Sequence, residues 1–290
     1  MLAAPGPASA GRPAAARLAG APAHSPAGIA AVAAELANGT TGRQLWGRRQ
    51  YSARPIASLT KVMTALVVIK AGHLGRYITI TRADVDYVTS NGTSTAGLHA
   101  GDVITARQLL YAMLLPSGAD AARALAESYG PGLTAFIRKM NRAARRLQLP
   151  GTHFTNFDGL ASSDVSTPRN LLRLGEAAMR LPAFRSVVKR RWHWLPASRL
   201  HHSYLWRTTN FLIERYPGVI GIKTGWTPAA GECLLFEAVH LRRVLIGVVL
   251  DSAPTKSGQS FVDAGRMLNW GFGLHRKVTL PGRPAGGPDD

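Results

Sequence analysis

Short apolar runs lie toward both ends of the chain, and an apolar pattern of helical period runs through its middle. Residues 29–36 are predicted to form a strand, and the turn Asn38–Gly42 joins it to a return strand over Gln44–Arg48. Near the other end, β-branched and apolar residues predict three core strands. These strands are Val219–Lys223, Cys233–His240 and Val244–Leu250.

The middle of the chain predicts helices. Apolar residues recur at helical spacing over Ala57–Ala71, and Gly72 ends the pattern. Further helices are predicted over Ala106–Leu115, Asp120–Tyr129, Leu133–Leu147, Thr167–Leu181 and Gly258–Trp270. Central helices with strands at both ends predict an α+β domain with an antiparallel sheet, over residues 28–275.

The two ends of the chain are predicted to be disordered. Residues 1–25 contain ten Ala, four Pro and three Gly and show no apolar period, and 280–290 is predicted to be a flexible tail. Residues 1–25 lack the basic start and the apolar stretch of about 7–15 residues that a complete secretory signal needs. Ala8–Ala10 nevertheless has the small-x-small shape of a cleavage site. A signal peptide that begins upstream and an ordinary Ala/Pro tail both remain open.

Composition narrows the class of protein. With 290 residues, 46% hydrophobic and 18% charged, the chain can bury one large core or two modest ones. The sequence has no apolar run of 18 residues, so no membrane-spanning helix is expected. The single cysteine, Cys233, excludes an internal disulfide and a cysteine-built zinc site. A formal net charge of +19 favours polyanionic partners such as nucleic acid, anionic lipid or cell-wall polymer.

Three short motifs carry candidate chemistry: Ser58-Leu59-Thr60-Lys61, Ser117-Gly118-Ala119 and Lys223-Thr224-Gly225. Helix positions i and i+3 share a face, so the Lys61 amine is expected beside the Ser58 hydroxyl. A serine becomes a strong nucleophile when a neighbouring base takes its proton. Lysine can act as that base when burial or a second cation, here Lys223, lowers its pKa.

Context separates the first motif from a second S-x-x-K. Ser186-Val187-Val188-Lys189 has no S-G-x element before Lys223, and it leads into two arginines. We interpret this segment as a solvated helix end. By contrast, Ser58 opens an apolar helix, and the other two motifs follow it in order.

The third motif follows an apolar strand and suits a substrate carboxylate. Side chains alternate along a strand, so Lys223 and Gly225 face the same way. A glycine there lets a substrate backbone approach closely. The Lys223 charge and the Thr224 hydroxyl can bind a carboxylate.

The combination resembles the low-molecular-mass penicillin-binding proteins, the serine-type D-alanyl-D-alanine carboxypeptidases of peptidase family S11. The resemblance covers about residues 29–272 in the family's order and spacing. The matching segments are Arg54–Ala65, Leu114–Gly118, Thr152–Phe154, Asp158–Leu160, Gly221–Gly225, Ala230–Gly231 and Asn269–Phe272. It implies a β-lactamase/transpeptidase-like fold, with an antiparallel sheet, flanking helices and an all-helical subdomain.

The resemblance also implies roles for individual residues. Ser58 is expected to attack the penultimate D-alanine of a peptidoglycan stem peptide and form an acyl-enzyme, with Lys61 as general base. Ser117 is expected to relay a proton to the leaving D-alanine. Lys223 and Thr224 are expected to bind the terminal carboxylate beside Gly225. The backbone amides of Ser58 and Trp226 would form the oxyanion hole.

The same resemblance implies partners and location. The implied partners are stem peptides ending in D-Ala-D-Ala and, as inhibitors, β-lactam antibiotics, with no metal, cofactor or nucleic acid. The enzyme is expected to be exported, as a single catalytic domain that is soluble or held at anionic wall polymers by its charge. The natural acyl acceptor, water or a peptide amine, remains open.

The chain departs from the family pattern at three places. Ala119 stands where the family usually has Asn, whose amide would bridge the lysine and the substrate. The segment 256–260 has no Arg to hold the substrate carboxylate, although Lys256 can supply a point charge. Phe157 stands where the family tends to have Pro.

These departures leave other interpretations open. One is a catalytically impaired module that binds cell-wall peptides. Another is a serine β-lactamase, although no Glu followed closely by Asn comes after Ser117 at the distance that class A enzymes have. A nucleic-acid binder is suggested by the basic and aromatic run 190–194, which also fits a hairpin arm. His193, His201 and His202 lack regular ligand spacing, and Cys233 is interpreted as an inert buried thiol.

Overall fold

The computed structural model describes residues 25–276. Its strands are β1 (Ala33–Asn38), β2 (Gln44–Arg48), β3 (Arg54–Pro55), β4 (Tyr77–Thr79), β5 (Val103–Thr105), β6 (Val165–Ser166), β7 (Trp192–Leu195), β8 (Tyr204–Arg207), β9 (Val219–Thr227), β10 (Gly231–His240) and β11 (Arg243–Leu250). Its α-helices are α1 (Thr60–Ala71), α2 (Arg82–Asn91), α3 (Ala106–Leu114), α4 (Ala119–Tyr129), α5 (Leu133–Arg146), α6 (Pro168–Met179), α7 (Pro182–Val188), α8 (Leu212–Arg215) and α9 (Gln259–Phe272). A single 3₁₀ turn, Ala57–Leu59, leads into α1.

The main sheet has five antiparallel strands in the order β2-β1-β11-β10-β9. Strand β9 lies at one edge, with β10 on one side and the 3₁₀ turn packed against it on the other. Three two-stranded pairs, β3-β6, β4-β5 and β7-β8, lie outside the main sheet. The predicted α+β class is confirmed.

Alternating side chains of the sheet contribute to two apolar cores. Leu235 and Ile246 pack on one face with α1, α3, α4 and α6. Leu234 and Phe236 point to the other face, where Met267 and Leu268 of α9 cover them. The sheet therefore separates the helical part of the molecule, which carries α1, from the closing helix.

Polar side chains set the starts of several helices. Thr105 and Thr167 each accept a hydrogen bond from the backbone amide of the third residue of the following helix. Pro168 occupies the first turn of α6, where a missing N–H costs nothing. Thr81 and Asp84 form a capping box at the start of α2.

Most predicted elements are confirmed with small shifts of their ends. Strand β1 begins at Ala33 rather than at residue 29, because Asp263 of α9 instead accepts hydrogen bonds from the amides of Ala30 and Ala31. Strand β9 continues past Lys223 to Thr227, paired with β10 throughout. The run 190–194 enters the β7-β8 hairpin, as the arm interpretation predicts.

Some elements were not predicted, and some predictions cannot be checked. Helices α2 and α8 and the pairs β3-β6 and β4-β5 have no counterpart in the sequence analysis, and of α7 only the helix end at residues 186–189 was predicted. The predicted leader lies almost entirely outside the described residues, as does the tail. No helix between residues 25 and 276 combines the length and the apolar character needed to cross a membrane.

Acidic and basic side chains are distributed differently between the interior and the surface. Of the fourteen acidic residues between 25 and 276, nine are buried, whereas of the lysines and arginines in the same range only Lys61 and Lys223 are buried. The buried acids are Glu35, Asp84, Asp102, Asp120, Asp158, Asp164, Glu232, Glu237 and Asp263. The described surface is therefore more cationic than the net charge alone implies.

Candidate active site

Ser58 and Lys61 lie together where the 3₁₀ turn passes into α1. Ser58 is half-buried in the middle of the turn, and Lys61 is buried one helical turn later. Lys61 Nζ lies 3.0 Å from Ser58 Oγ and donates a second hydrogen bond, at 2.9 Å, to the backbone oxygen of Asp158. The expected proximity of the hydroxyl and the amine is present.

The environment of Lys61 favours its neutral form. Burial lowers the pKa of Lys61, and the charges of Asp158, Asp120 and Asp164 oppose this shift without cancelling it. Within residues 25–276, no carboxylate lies close enough to Lys61 to form a salt bridge. A buried amine of lowered pKa beside a hydroxyl can accept the hydroxyl proton.

The loop that supplies the Asp158 carbonyl is fixed to α1 and α2. Thr64 in α1 donates a 2.6 Å hydrogen bond to the backbone oxygen of Phe157. Tyr87 in α2 donates one of 3.3 Å to the Asp158 carboxylate, and burial with this neighbouring charge raises the pKa of Tyr87 to about 12. Asn156 accepts a hydrogen bond from the Asp158 amide. These contacts hold the carbonyl that binds Lys61.

Gly159 lies directly against the backbone of the 3₁₀ turn. Its φ is +88°, and a Cβ atom at this position would lie 1.8 Å from the carbonyl oxygen of Ala57 and 3.0 Å from the amide nitrogen of Ser58. Only glycine combines this backbone conformation with this close approach. Sequence reasoning missed this role, because Gly159 entered it only as part of a matching segment.

Strand β9 places the third motif near the first. Lys223 is buried, and its Nζ donates a 3.0 Å hydrogen bond to the backbone oxygen of Thr224. Burial, together with the charge of Lys61, keeps the pKa of Lys223 well below the usual lysine value. The pKa of Lys61 is lowered by burial and not by Lys223, so of the two causes expected from the sequence only burial acts on Lys61. The Thr224 and Thr209 hydroxyls lie 2.6 Å apart.

Gly225 in β9 lies close to the backbone of the turn that carries Ser58, the candidate nucleophile. A Cβ atom on Gly225 would lie 3.1 Å from Ala57 Cβ and 3.1 Å from the Ser58 amide nitrogen. Outside the 3₁₀ turn, no backbone oxygen of the described residues accepts a hydrogen bond from the Ser58 amide. This amide lies beside the strand that carries Trp226, whose amide stays the predicted second oxyanion donor.

The second motif begins α4, which packs against α1. Ser117 is buried in the left-handed conformation, at φ +70°, and its hydroxyl has no hydrogen-bond partner within residues 25–276. The Ala119 amide donates to Ser94, and its methyl group is buried. Asp120 accepts hydrogen bonds from the amides of Ala96 and Leu98, so it orders that loop rather than taking part in the chemistry.

Trp226 and Lys256 meet at the end of β9. The Trp226 indole donates a 3.2 Å hydrogen bond to the backbone oxygen of Pro254, and Lys256 Nζ lies 5.0 Å from the centre of the Trp226 ring. Lys256 is exposed. Lys256, which the sequence analysis offered in place of the family arginine, therefore lies next to the Lys223-Thr224-Gly225 motif.

Among residues 25–276, one group of ligand-type side chains can be drawn around a metal ion. His99, Asp102 and His202 have ligand atoms within 4.8 Å of one another. His202 Nδ1 lies 2.9 Å from one Asp102 oxygen, and Tyr204 donates to the other. Both carboxylate oxygens of Asp102 therefore already have hydrogen-bond partners. The group connects the loop that contains His99 and Asp102 to the β7-β8 hairpin.

The remaining residues singled out in the sequence lie in structural positions. Lys189 is exposed at the end of α7, and the Ser186 hydroxyl donates to the backbone oxygen of Ala183, so this S-x-x-K is a helix end. Burial raises the pKa of the Cys233 thiol to about 12, as expected for an inert cysteine. His153 pairs through its backbone with Val165. Phe157 is buried against Tyr87, with ring centres 5.3 Å apart.

Comparison with known proteins agrees with this geometry. A family model described as D-alanyl-D-alanine carboxypeptidase, peptidase S11, matches residues 20–254. The chain belongs to this family. It is 41% identical over 259 residues to a D-alanyl-D-alanine carboxypeptidase of Streptomyces sp. strain K15, covering 85% of this chain and 88% of that protein. It is 33% identical over 244 residues to the D-alanyl-D-alanine carboxypeptidase DacB2 of Mycobacterium tuberculosis, covering 83% and 81%.

Solved structures of the peptidase family have the same fold. The crystal structure of the Streptomyces K15 DD-transpeptidase matches with a TM-score of 0.82 at 40% identity, covering 87% of this chain and 100% of that one. A D-alanyl-D-alanine carboxypeptidase from Mycobacterium tuberculosis matches with a TM-score of 0.76 at 31% identity, covering 86% and 94%. The β-lactamase/transpeptidase-like fold and the serine-type hydrolase class are confirmed, and the alternative functions are not favoured.

Proposed function

We propose that the protein is a serine D-alanyl-D-alanine carboxypeptidase that trims peptidoglycan stem peptides through an acyl-enzyme. The observation that carries this proposal is the 3.0 Å contact between the Ser58 hydroxyl and the buried amine of Lys61, which forms no salt bridge with a described carboxylate. The family match supports the same reaction class.

The first chemical step follows from the positions of these groups. Ser58 Oγ attacks the carbonyl carbon of the penultimate D-alanine while its proton passes to the neutral Lys61 amine. The tetrahedral oxyanion accepts hydrogen bonds from the amides of Ser58 and Trp226, each typically worth about 2.7–4 kcal/mol in the transition state. The C–N bond then breaks, and the leaving D-alanine amine takes a proton through Ser117.

Deacylation completes the cycle. Water attacks the ester carbonyl at Ser58, gives its proton to the general base, and releases the shortened peptide with free Ser58. A β-lactam enters by the same attack on its ring carbonyl, but its leaving group stays attached to the acyl moiety. The β-lactam therefore inhibits the enzyme as a long-lived ester.

Recognition of the substrate carboxylate falls to the cationic end of β9. Lys223 and Thr224 are the predicted carboxylate ligands. Their side chains lie beside each other, with Lys223 Nζ 3.4 Å from Thr224 Oγ1. Lys256, next to Trp226, adds an exposed positive charge. A point charge binds a carboxylate without the paired hydrogen bonds of an arginine, so this contribution is salt-sensitive.

A second candidate outcome is transpeptidation. The solved structure of the strain K15 relative is described as a DD-transpeptidase, and the curated protein of that strain as a carboxypeptidase. Both reactions share the Ser58 acyl-enzyme and differ in whether water or an amine captures it. Adding glycine as an acceptor amine and measuring the two products by mass spectrometry determines the partition.

Peptidoglycan lies outside the cytoplasmic membrane, so we infer that the enzyme is exported and acts at the cell wall. Trimming of stem peptides there would affect cross-linking and cell shape. The cationic surface of the enzyme fits anionic wall polymers. Purified wall fragments should retain the protein at low salt and release it at about 1 M salt, where charges are screened within a few ångströms. Retention at that salt concentration would contradict attachment by charge.

The central test uses a fluorescent penicillin, nitrocefin and a peptide ending in D-Ala-D-Ala. Stable labelling with D-alanine release supports the proposal. Ser58→Ala should abolish both signals, whereas Ser186→Ala, in the other S-x-x-K, should leave them unchanged. Rapid nitrocefin turnover would indicate a β-lactamase, and labelling without peptide cleavage would indicate an impaired module. Labelling that survives Ser58→Ala would overturn the assignment of the nucleophile.

A further inference from the structure

The β7-β8 hairpin, here called the arm, has one face packed inward and one face exposed. His193, Leu195, Tyr204 and Trp206 point toward the protein, where the His193 ring stacks on Tyr111 with centres 3.8 Å apart. The alternate residues, two tryptophans and a leucine among them, point outward. A regular two-residue alternation thus gives the arm a well-defined outer face.

The outer face is unusually apolar for a surface. Trp192 is 54% exposed, Trp194 is 59% exposed and Leu205, directly opposite Trp194, is 53% exposed. Leu200, in the turn that connects the two strands, is 48% exposed. Isolated exposed apolar side chains are ordinary, but Trp192, Trp194 and Leu205 share one face of the hairpin and form a patch that indicates a binding surface, whereas the backbone of Leu200 is bound to Val103 of β5.

Arginines surround this patch. Arg190 and Arg191 precede Trp192, Arg207 lies opposite it, and Arg199 lies in the connecting turn. All four are exposed, and none forms a salt bridge with a carboxylate of the described chain. The arm therefore combines large apolar side chains with unpaired positive charge.

We propose that the outer face of the arm docks on the surface of an anionic phospholipid bilayer. Tryptophan side chains are favoured at the boundary between headgroups and acyl chains, and leucines can enter the acyl region. Arginines at the same level bind lipid phosphates. A soluble polyanion without aromatic rings would use the arginines but leave Trp192 and Trp194 in water. A single-stranded nucleic acid would stack on the tryptophans but leave Leu205 in water, so only a bilayer uses the whole face.

The arm is joined to the catalytic cleft. The Thr208 amide donates to the backbone oxygen of Arg191 at the base of the arm. The next residue, Thr209, hydrogen-bonds through its backbone to Leu115 and through its hydroxyl to Thr224. Docking of the arm would therefore hold the cleft close to the bilayer, where membrane-attached substrates are at high local concentration.

The test measures binding of the full-length protein to vesicles by sedimentation. Vesicles of equal parts phosphatidylglycerol and phosphatidylcholine should bind it, and vesicles of phosphatidylcholine alone should bind it much less. Trp192→Ala with Trp194→Ala should weaken binding by about tenfold or more, because these side chains bury large apolar areas. The matched control is Tyr51→Ala with Leu241→Ala, which removes side chains that are 71% and 81% exposed elsewhere.

A second pair tests the charges. The double variant Arg191→Gln with Arg207→Gln should weaken binding to the anionic vesicles. Its control, Arg138→Gln with Arg142→Gln on α5, should weaken binding less, although all four arginines are exposed. Binding should also shift tryptophan fluorescence to shorter wavelength, and the double tryptophan variant should lose this shift. Circular dichroism and urea unfolding of every variant check that the fold is intact, so the vesicle result stays independent of the peptidase proposal.

Two results would overturn the proposal. The first is vesicle binding that is equal in the tryptophan variant and in its control, which would assign the interaction to general surface charge. The second is binding of soluble polyphosphate or of a single-stranded oligonucleotide that depends on the same two tryptophans, without binding to vesicles.

Discussion

Lys61 Nζ lies 3.0 Å from Ser58 Oγ, and its other hydrogen bond goes to the backbone oxygen of Asp158 rather than to a carboxylate. A carbonyl accepts a hydrogen bond from the amine in either protonation state and stabilises the charged form less than a carboxylate would. The site thus holds the amine in place while leaving it able to take a proton.

The acylation rate should depend on pH through Lys61. Burial lowers the pKa of Lys61 from its ordinary 10.5, so the neutral amine is lost as the pH falls through the lowered value. The second-order rate of penicillin labelling should therefore fall toward acid pH. Lys61→Arg, which stays charged, should lower the rate by about 100- to 10,000-fold across the range. A flat profile, or an arginine variant of normal rate, would contradict Lys61 as general base.

Lys223→Met should stabilise the fold while impairing activity. Burial keeps the pKa of Lys223 well below 10.5, so between these two values the unfolded chain binds more protons and stability falls as the pH is lowered. Replacing Lys223 removes this penalty and should raise the free energy of unfolding at pH 7.

Urea unfolding at pH 7 and pH 10 measures this gain, which should shrink as the pH approaches 10.5. The exposed Lys189→Met serves as the control and should change stability little. A variant less stable than the wild type at pH 7 would show that the hydrogen bond to Thr224 outweighs the cost of burial.

Gly159→Ala should misplace the nucleophile. Its Cβ atom would lie 1.8 Å from the Ala57 carbonyl oxygen, so the turn that carries Ser58 must move. A displacement of about 1 Å can cost on the order of 100-fold in rate, and we expect a loss of that size in penicillin labelling.

Gly151→Ala is the matched control for this loop. Gly151 has a similar φ of +77°, but a Cβ atom there would lie 3.4 Å from the nearest atom, in Thr167. Both variants carry the left-handed backbone cost of about 1–2 kcal/mol, so a difference in labelling isolates the steric effect at Gly159. Equal labelling would show that the contact with Ala57 does not position Ser58.

Ala119→Asn should increase peptide cleavage. An amide at this position can hydrogen-bond the substrate, and one such bond contributes about 0.5–1.5 kcal/mol, or about two- to tenfold in rate. D-alanine release should rise more than penicillin labelling. Unchanged release in a folded variant would show that the buried Ala119 position has lost contact with the substrate.

The elements that were predictable from the sequence have local causes. Ser58 and Lys61 are three residues apart on a helical pattern, so their contact follows from helix geometry. The strands of the main sheet are rich in apolar and β-branched residues. By contrast, the one fully buried residue of α2 is Asp84, and its apolar residues Val85 and Tyr87 are only half-buried, so its apolar pattern is weak. Strand β9 was predicted too short because its last residues include Gly225, and pairing with β10 extends it.

The rest of the site depends on contacts between distant parts of the chain. The Asp158 carbonyl has no side-chain signature, and any residue could supply it. Gly159 and Gly225 matter because of what lies against them, which the sequence does not reveal. The pairing of Arg54 with Ser166 is likewise a tertiary contact between two strands of two residues each.

The glycine contacts on the backbone around Ser58 have a consequence for drug resistance. Gly159 and Gly225 both lie within van der Waals distance of the Ala57–Ser58 peptide, so a side chain at either position would push against it. Substitutions that reduce β-lactam sensitivity by shifting this peptide would also disable the native reaction. Resistant variants should therefore map away from this peptide, to the exposed end of β9 around Trp226 and Lys256.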